Sequence, residues 1–124
     1  MGTGGTLTGV ARVLRRAIPG IRIVALEPQK SPVLSGGEAG LHGIQGIGAG
    51  FCPDNFDRSL VDAIVQVSDV AADRTMQRLA REEGLLVGPS AGANTHAAIE
   101  VARTLPAGAR VVTILCDTGD RYLG

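Results

Sequence analysis

The chain has 124 residues, of which 44% are hydrophobic and 19% charged, a composition typical of one globular folding unit rather than of a disordered segment. Basic and acidic side chains balance at 12 each, which argues against a nucleic-acid groove or an anionic membrane surface as partner. The apolar runs are too short for a membrane-spanning helix. Two cysteines, Cys52 and Cys116, are too few for a disulfide framework and favour a cytoplasmic location.

The first predicted element is an amphipathic helix that follows a glycine-rich start. Its apolar residues recur at helical spacing: Leu7, Val10, Ala11, Leu14 and Ile18. Pro19-Gly20 ends this helix. A short strand is then predicted from Ile21 to Leu26, and Glu27-Pro28 is expected to end it.

A long segment rich in glycine and proline comes next, from Gln29 to Asp57. A loop of this length inside a compact domain is more often functional than idle. Regular structure resumes with a predicted strand over Ala63 to Val67. Ser68 is expected to cap a helix that runs to about Glu83 and ends at Gly84.

The last third of the chain predicts a strand, a helix and a strand. Leu85 to Val87 is the first of these, and the helix covers about Ala91 to Thr104. Val111 to Leu115 is apolar and mostly β-branched, as in a parallel strand that is buried on both faces. Strands that alternate with helices indicate an α/β fold with a parallel sheet, and residues 1–124 form one domain without a linker.

The first of three glycine-and-hydroxyl signals opens the predicted first helix: Gly2, Thr3, Gly4, Gly5 and Thr6. Unpaired amides at a helix N-terminus attract anions, glycines let the backbone approach phosphate oxygens, and threonine hydroxyls can donate. A tight turn with a threonine cap would give the same pattern. A dinucleotide site is the other alternative, with Glu27 as the ribose-binding acid, although Leu7 stands where its third glycine is needed.

The second signal is Gly88-Pro89-Ser90-Ala91-Gly92, which matches G-x-S-x-G between a predicted strand and a helix. A serine hydrolase needs an acid and then a histidine after this serine, and no histidine follows Asp117 or Asp120. His96 lies on the helix that Ser90 begins, too close along it to act as the base. A serine N-cap is the simpler alternative.

The third signal lies in the long loop and runs from Ile44 to Phe51, with the candidate site residues Gly46, Ile47, Gly48 and Ala49 inside it. Glycines beside apolar residues suggest a segment that approaches a ligand or moves, but an ordinary surface loop would have the same composition. No metal site is predicted, because the cysteines and histidines lack ligand spacing. Lys30, the single lysine, is expected to be a solvated loop residue.

Five segments in chain order together resemble the cysteine synthases (O-acetylserine sulfhydrylases), which are fold-type II enzymes that use pyridoxal 5'-phosphate. They are GTGGTLTG from Gly2, EP from Glu27 with SPVL from Ser31, HGIQGIGAGF from His42, EEGLLVGPSAGA from Glu82, and GDRYL from Gly119. The resemblance spans nearly the whole chain. It implies an α/β fold that forms part of a three-layer αβα parallel sheet like that of the tryptophan synthase β subunit.

The resemblance also implies roles for the three signals. Gly2 to Thr6 would hold the cofactor phosphate, Ser90 Oγ would meet the pyridine nitrogen, and Gly46 to Ala49 would border the substrate. The implied reaction is β-replacement, in which O-acetyl-L-serine and sulfide give L-cysteine, and a homodimer is expected. Cystathionine β-synthase-like β-replacement is an alternative, although that family carries a tyrosine and an acid at Ala49 and Gly50. A noncatalytic phosphate- or nucleotide-binding module is another.

The chain also departs from the family in length and in one motif. Family members are more than twice as long, and their Schiff-base lysine lies in an N-terminal half that has no counterpart here. We therefore expect residues 1–124 to be the C-terminal part of such a domain, without the catalytic lysine, inactive by itself and of low stability. Cys116-Asp117-Thr118 departs from the Pro-Ser-Ser of some members near the pyridine end.

Overall fold

The computed structural model describes all 124 residues and contains three α-helices and two β-strands. The elements are α1 (Gly5–Ala17), β1 (Val24–Pro28), β2 (Ala63–Val67), α2 (Asp69–Glu83) and α3 (Pro89–Arg103). Short 3-10 turns lie at Val33–Ser35, Arg58–Leu60 and Gly119–Tyr122. No helix combines the length and the apolar character that crossing a bilayer requires.

The two strands form a parallel pair, which confirms the predicted α/β class. Their register runs from Val24 opposite Ala63 to Pro28 opposite Val67. The predicted end of β1 is wrong, because the strand continues through Glu27-Pro28. Proline lacks a donor, but it closes the ladder here, and the amide of Gln29 makes the next bond, to Val67 O at 2.9 Å.

The predicted start of β1 is also wrong, since the strand begins at Val24 and not at Ile21. The amide of Ile23 donates to Asp62 Oδ2 at 2.7 Å instead of to a strand partner. The same carboxylate accepts a 2.7 Å bond from Arg15, so that it ties α1 to the entry of both strands. The bond from Ile23, followed by that from Arg15, lowers the pKa of Asp62.

The helix boundaries follow the capping residues closely. Ser68 Oγ accepts a 3.1 Å bond from the amide of Ala71 and starts α2, while Gly84 ends it in the left-handed region at φ +69°. The third helix begins two residues earlier than predicted, at Pro89. Proline fits the first helical position, where the amide would have no intrahelical acceptor.

Two predicted strands are absent from the structure. Leu85 to Val87 makes only an isolated antiparallel bridge, from Val87 to Thr118. Val111 to Leu115 has no regular structure, and its Val112 side chain is 88% exposed. Its β-branched composition favours an extended backbone. A strand also needs a hydrogen-bonded neighbour, however, and none lies beside this segment in the 124 residues.

Most of the buried hydrophobic residues form two small clusters instead of one large core. The larger cluster joins β1, β2, α2, α3 and the long loop, and its members are Leu26, Ile44, Val67, Ala72, Ala93 and Ala97. The smaller cluster contains Leu79, Val87 and Ala91. Ile44 is 1% exposed, so the predicted substrate loop starts from a residue that is fixed in the larger cluster.

Candidate functional site

The glycine-rich start of the chain forms the N-terminus of α1. Gly4 is its N-cap, at φ +82° in the left-handed region, and no side chain caps the helix. The first bond of the helix runs from the amide of Thr8 to Gly4 O at 3.0 Å, which leaves the amides of Gly5, Thr6 and Leu7 without a backbone acceptor. The threonine-cap alternative is therefore wrong, and these amides are free to bind an anion.

Close backbone contacts hold this start against two distant segments. A Cβ on Gly2 would lie 2.8 Å from Gly46 O, and one on Gly4 would lie 3.1 Å from the Phe56 amide nitrogen. Thr8 supports the same contact, because its buried hydroxyl accepts a 3.1 Å bond from the amide of Asp57. Sequence reasoning missed Thr8. The only signal was its place directly after the phosphate-loop pattern.

The first and third sequence signals meet in one groove. It has a volume of about 320 Å³ and is lined by Gly2, Thr3, Gly46, Ile47, Ala49, Phe51 and Pro53. This volume is in the usual range for a small-molecule site. Gly46 and Gly48 have φ of +91° and +65°, a region that other residues rarely adopt. The loop of Gly46 to Ala49 therefore packs against the helix start instead of lying free on the surface.

Ser90 lies in the first turn of α3 and is 4% exposed. Gly88 is the N-cap residue and no side chain caps the helix, so the N-cap reading of Ser90 is wrong. Its Oγ lies 3.7 Å from the place that a Cβ on Gly46 would take. A buried hydroxyl without a capping role thus faces the loop that lines the groove.

The structure does not favour a serine hydrolase. A base for Ser90 would have to come from His42 or His96. The His42 ring is engaged elsewhere, since its Nε2 lies 2.9 Å from Gly48 O and its Nδ1 accepts a bond from the amide of Ile44. His96 lies six residues further along the same helix, which is nearly two turns away.

Glu27 does not have the free carboxylate that a dinucleotide site requires. It is 2% exposed, and its two oxygens accept bonds from the amides of Leu34 at 2.7 Å and Ser35 at 3.0 Å. Both oxygens are therefore occupied by the first turn of the 3-10 helix. The carboxylate fixes the chain after β1 and is not available to a ribose.

The end of the chain packs against the start of α3. The amide of Gly88 donates to Asp117 O at 3.3 Å, and Tyr122 Oη donates to Asp117 Oδ2 at 2.5 Å, a bond that raises the pKa of Tyr122. A Cβ on Gly88 would come within 2.2 Å of Asp117 Oδ1. The sequence analysis named both segments but did not predict this contact, because only the resemblance to the same protein family connected them.

Lys30 lies outside the groove. Its ammonium group pairs with Asp69 Oδ2 at 2.7 Å, and its side chain is 62% exposed. The bond from Lys30 is the main cause of the lowered pKa of Asp69. No three His, Cys, Asp or Glu side chains lie together as metal ligands, and both cysteines are free and exposed.

These groups fit pyridoxal phosphate. The unpaired amides of Gly5 to Leu7 and the hydroxyls of Thr3 and Thr6 suit a phosphate dianion, which also interacts favourably with the positive end of a helix. The buried hydroxyl of Ser90 suits a neutral ring nitrogen. The groove between Thr3 and Ile47 gives space for a small organic ligand, and Ser90 Oγ lies next to Gly46 in its wall.

Comparison with known proteins agrees with this geometry. A cysteine synthase of Staphylococcus aureus is 50% identical over 123 residues, which are 99% of this chain and 40% of that protein. A cysteine synthase structure from Entamoeba histolytica has a TM-score of 0.96 and 40% identity, covering 99% of this chain and 37% of the other. An O-acetylserine dependent cystathionine β-synthase structure from Helicobacter pylori has a TM-score of 0.91 and 44% identity, covering 99% of this chain and 40% of the other.

The chain thus spans about 40% of the length of the curated relatives that it matches. The fold of its 124 residues is that of the corresponding part of the fold-type II structures. The profile of a protein family described as pyridoxal-phosphate dependent enzyme matches residues 1–117. The chain belongs to this family of pyridoxal-phosphate dependent enzymes.

Proposed function

We propose that the protein carrying this sequence forms L-cysteine from O-acetyl-L-serine and sulfide by pyridoxal-phosphate dependent β-replacement. One observation carries the proposal: the glycine-rich start of α1 and the loop of Gly46 to Ala49 line a single groove, and the helix that follows this start begins with unpaired amides. The 50% identity to a curated cysteine synthase supports it.

The start of α1 binds the cofactor phosphate in this proposal. The amides of Gly5, Thr6 and Leu7 donate to its oxygens, and the helix dipole stabilises its negative charge. Thr3 and Thr6 add hydroxyl donors. Gly2 and Gly4 contribute by having no side chain, since a Cβ at either would push against the backbone of Gly46 or Phe56.

Ser90 holds the opposite end of the cofactor. When bound, pyridoxal phosphate acts as an electron sink that weakens the Cα–H bond of the substrate and the bond to its β-leaving group. A carboxylate partner would keep the ring nitrogen protonated and strengthen this sink. A neutral serine at the positive end of α3 does not keep this nitrogen protonated. We therefore expect rapid loss of a good leaving group instead of reactions that need a long-lived carbanion.

The loop of Gly46, Ile47, Gly48 and Ala49 borders the amino-acid substrate. Three of its four residues have at most one methyl group, which leaves space beside Thr3. Phe51 and Pro53 continue the same wall and add apolar surface.

Cystathionine β-synthase-like β-replacement is the second candidate. The 44% identity to an O-acetylserine dependent cystathionine β-synthase structure favours it. Ala49 and Gly50, where that family carries a tyrosine and an acid, favour cysteine synthase instead. A nucleotide-binding module is the third possibility, and the occupied carboxylate of Glu27 argues against it.

The proposal extends to partners and location. The partners are a small amino-acid substrate and sulfide, with neither nucleic acid nor membrane, in agreement with the balanced charge. We also propose that the protein is a cytoplasmic homodimer. The two free cysteines support a reducing compartment, and the resemblance to cysteine synthases supports the dimer.

The direct test offers the purified, cofactor-loaded full-length protein that contains these 124 residues two donors, O-acetylserine and O-phosphoserine, and two acceptors, sulfide and homocysteine. We expect cysteine from O-acetylserine and sulfide. Cystathionine as the main product would favour the second candidate, and no turnover with the cofactor bound would overturn the proposal.

Gly2→Ala should abolish cofactor binding, because its Cβ would lie 2.8 Å from Gly46 O. The matched control is Gly9→Ala, whose Cβ has no neighbour within 4 Å.

A further inference from the structure

The loop that lines the groove has little backbone bonding of its own. Between Gly46 and Ala49, one amide makes a backbone bond, from Gly48 to Met1 O at 3.1 Å. Ile44 fixes the start of the loop in the larger core cluster, and the side chain of Ile47 packs against the same cluster. No backbone amide donates to Gly48 O, so the orientation of this carbonyl depends on another group.

His42 makes that connection. Its Nδ1 accepts a 3.2 Å bond from the amide of Ile44, and its Nε2 lies 2.9 Å from Gly48 O. A ring nitrogen that accepts carries no proton, so the proton of the neutral ring is on Nε2 and is donated to Gly48 O. One imidazole thus bridges the fixed start of the loop and the peptide that faces the groove.

Tight packing restricts the bridged peptide further. A Cβ on Gly48 would lie 2.6 Å from His42 Nε2 and 2.5 Å from Pro28 Cγ, so the peptide is held between the imidazole and the proline ring at the end of β1. His42 itself does not line the groove. Its effect on any ligand there passes through the backbone of Gly48.

The charged groups near His42 are Asp69 and Lys30. The Asp69 carboxylate lies 3.7 Å from the place that a Cβ on Gly43 would take, and the hydrogen bond from Lys30 is the main cause of its lowered pKa. Lys30 pairs with it at 2.7 Å. The carboxylate is thus already paired, and the imidazole bonds to backbone groups on both sides.

We propose that His42 is a positioning residue for the substrate-binding loop. Its neutral Nε2–H tautomer holds Gly48 O and thereby sets the peptide of Gly46 to Ala49 against the groove. The proposal rests on the proposed function, because it takes this loop as the border of the amino-acid substrate. It adds a residue that acts through the backbone and touches neither the substrate nor the cofactor.

Two substitutions separate the two bonds of the ring. Glutamine places its amide near Nε2 and can still donate to Gly48 O, whereas asparagine reaches only the position of Nδ1 and can still accept from Ile44. In the cofactor-loaded protein, His42→Asn should raise the KM for O-acetylserine about three- to tenfold, the equivalent of one hydrogen bond, with a smaller effect on kcat. His42→Gln should stay within about threefold of the wild type.

Nuclear magnetic resonance supplies a readout that is independent of turnover. The ¹⁵N shifts of His42 should identify the Nε2–H tautomer, and the amide signals of Gly46 and Gly48 should shift in His42→Asn but not in His42→Gln. An Nδ1–H tautomer, or equal effects of the two variants, would overturn the inference. If the wild type binds the cofactor but forms no cysteine, the proposed function fails, and the amide signals still decide whether His42 positions the loop.

Discussion

Single residues at the groove act mainly through what they leave unbonded or unfilled. The amides of Gly5 to Leu7 have no backbone acceptor, and Ser90 has no capping role although it begins a helix. Water or a ligand anion can accept from the exposed amides of Gly5 and Thr6, whereas Ser90 is buried. We propose that these amides hold the anion end of the site and that Ser90 holds the nitrogen end.

The role of Ser90 can be tested against a second serine at a helix start. Ser90→Ala should weaken binding of pyridoxal phosphate about three- to tenfold, since one hydrogen bond is lost, and should leave stability nearly unchanged. Ser68→Ala should do the opposite and lower the free energy of unfolding by about 1 kcal/mol, because Ser68 caps α2. Cofactor titration and urea unfolding measure the two effects. Unchanged cofactor affinity in Ser90→Ala would contradict the assignment.

At the scale of elements, the contact between α2 and α3 depends on a glycine. A Cβ on Gly92 would lie 2.3 Å from Ala72 O and 2.8 Å from Met76 Cβ. The two helices can therefore approach closely only where α3 has no side chain. This contact orients the first turn of α3, and hence Ser90, toward the groove.

Gly92→Ala should lower the free energy of unfolding by about 1–3 kcal/mol, because the added methyl group forces the helices apart. Gly9→Ala in α1 is the matched control, since its Cβ has no neighbour within 4 Å. That change should raise stability by about 0.5–1 kcal/mol through helix propensity. Urea unfolding of the three proteins checks both signs. A Gly92→Ala variant as stable as Gly9→Ala would show that the helices are further apart than described.

The ion pair between Lys30 and Asp69 joins the long loop to the first turn of α2. It should make the free energy of unfolding depend on pH. Its hydrogen bond holds the pKa of Asp69 below the usual value for a carboxyl group. A carboxyl group whose pKa is lower in the folded than in the unfolded protein stabilises the fold at a pH above its unfolded-state pKa of about 4. This contribution is lost as the pH falls through the folded-state pKa. The stability difference between wild type and Asp69→Asn should be constant above about pH 5 and shrink below it. A difference that grows on acidification would contradict this sign.

At the scale of the whole molecule, the 124 residues bury little and leave one apolar segment open. Only 23 of 124 residues are buried, and the two hydrophobic clusters contain six and three of them, while Val112 and Ile114 are 88% and 48% exposed. The low stability expected from the sequence remains a prediction. The expectation that the chain by itself is inactive also remains a prediction. Its single lysine, Lys30, lies in an ion pair outside the groove.

Hydrogen exchange provides the whole-molecule test. None of the amides of residues 111–115 donates to a backbone acceptor, so in the 124-residue chain they should exchange at nearly the rates of an unfolded peptide. The amides of β2 that bond to β1, such as that of Val65, should be protected, because their exchange requires the sheet to open. Protection of residues 111–115 equal to that of Val65 would indicate pairing that the structure does not contain.

Local sequence determined the helices and β2 and predicted the residues of the candidate site, because these patterns depend on groups that are close along the chain. Ser68 and Gly84 set both ends of α2 by their own capping geometry, and the glycines before Leu7 exposed the helix amides whatever lay opposite them. Tertiary structure decided whether an extended segment became a strand. β2 found β1, whereas Val111 to Leu115 found no neighbour and stayed unpaired. It also decided that Glu27 caps a turn, that Gly46 meets Gly2, and that His42 holds Gly48, since contacts between residues far apart in sequence carry no local signal.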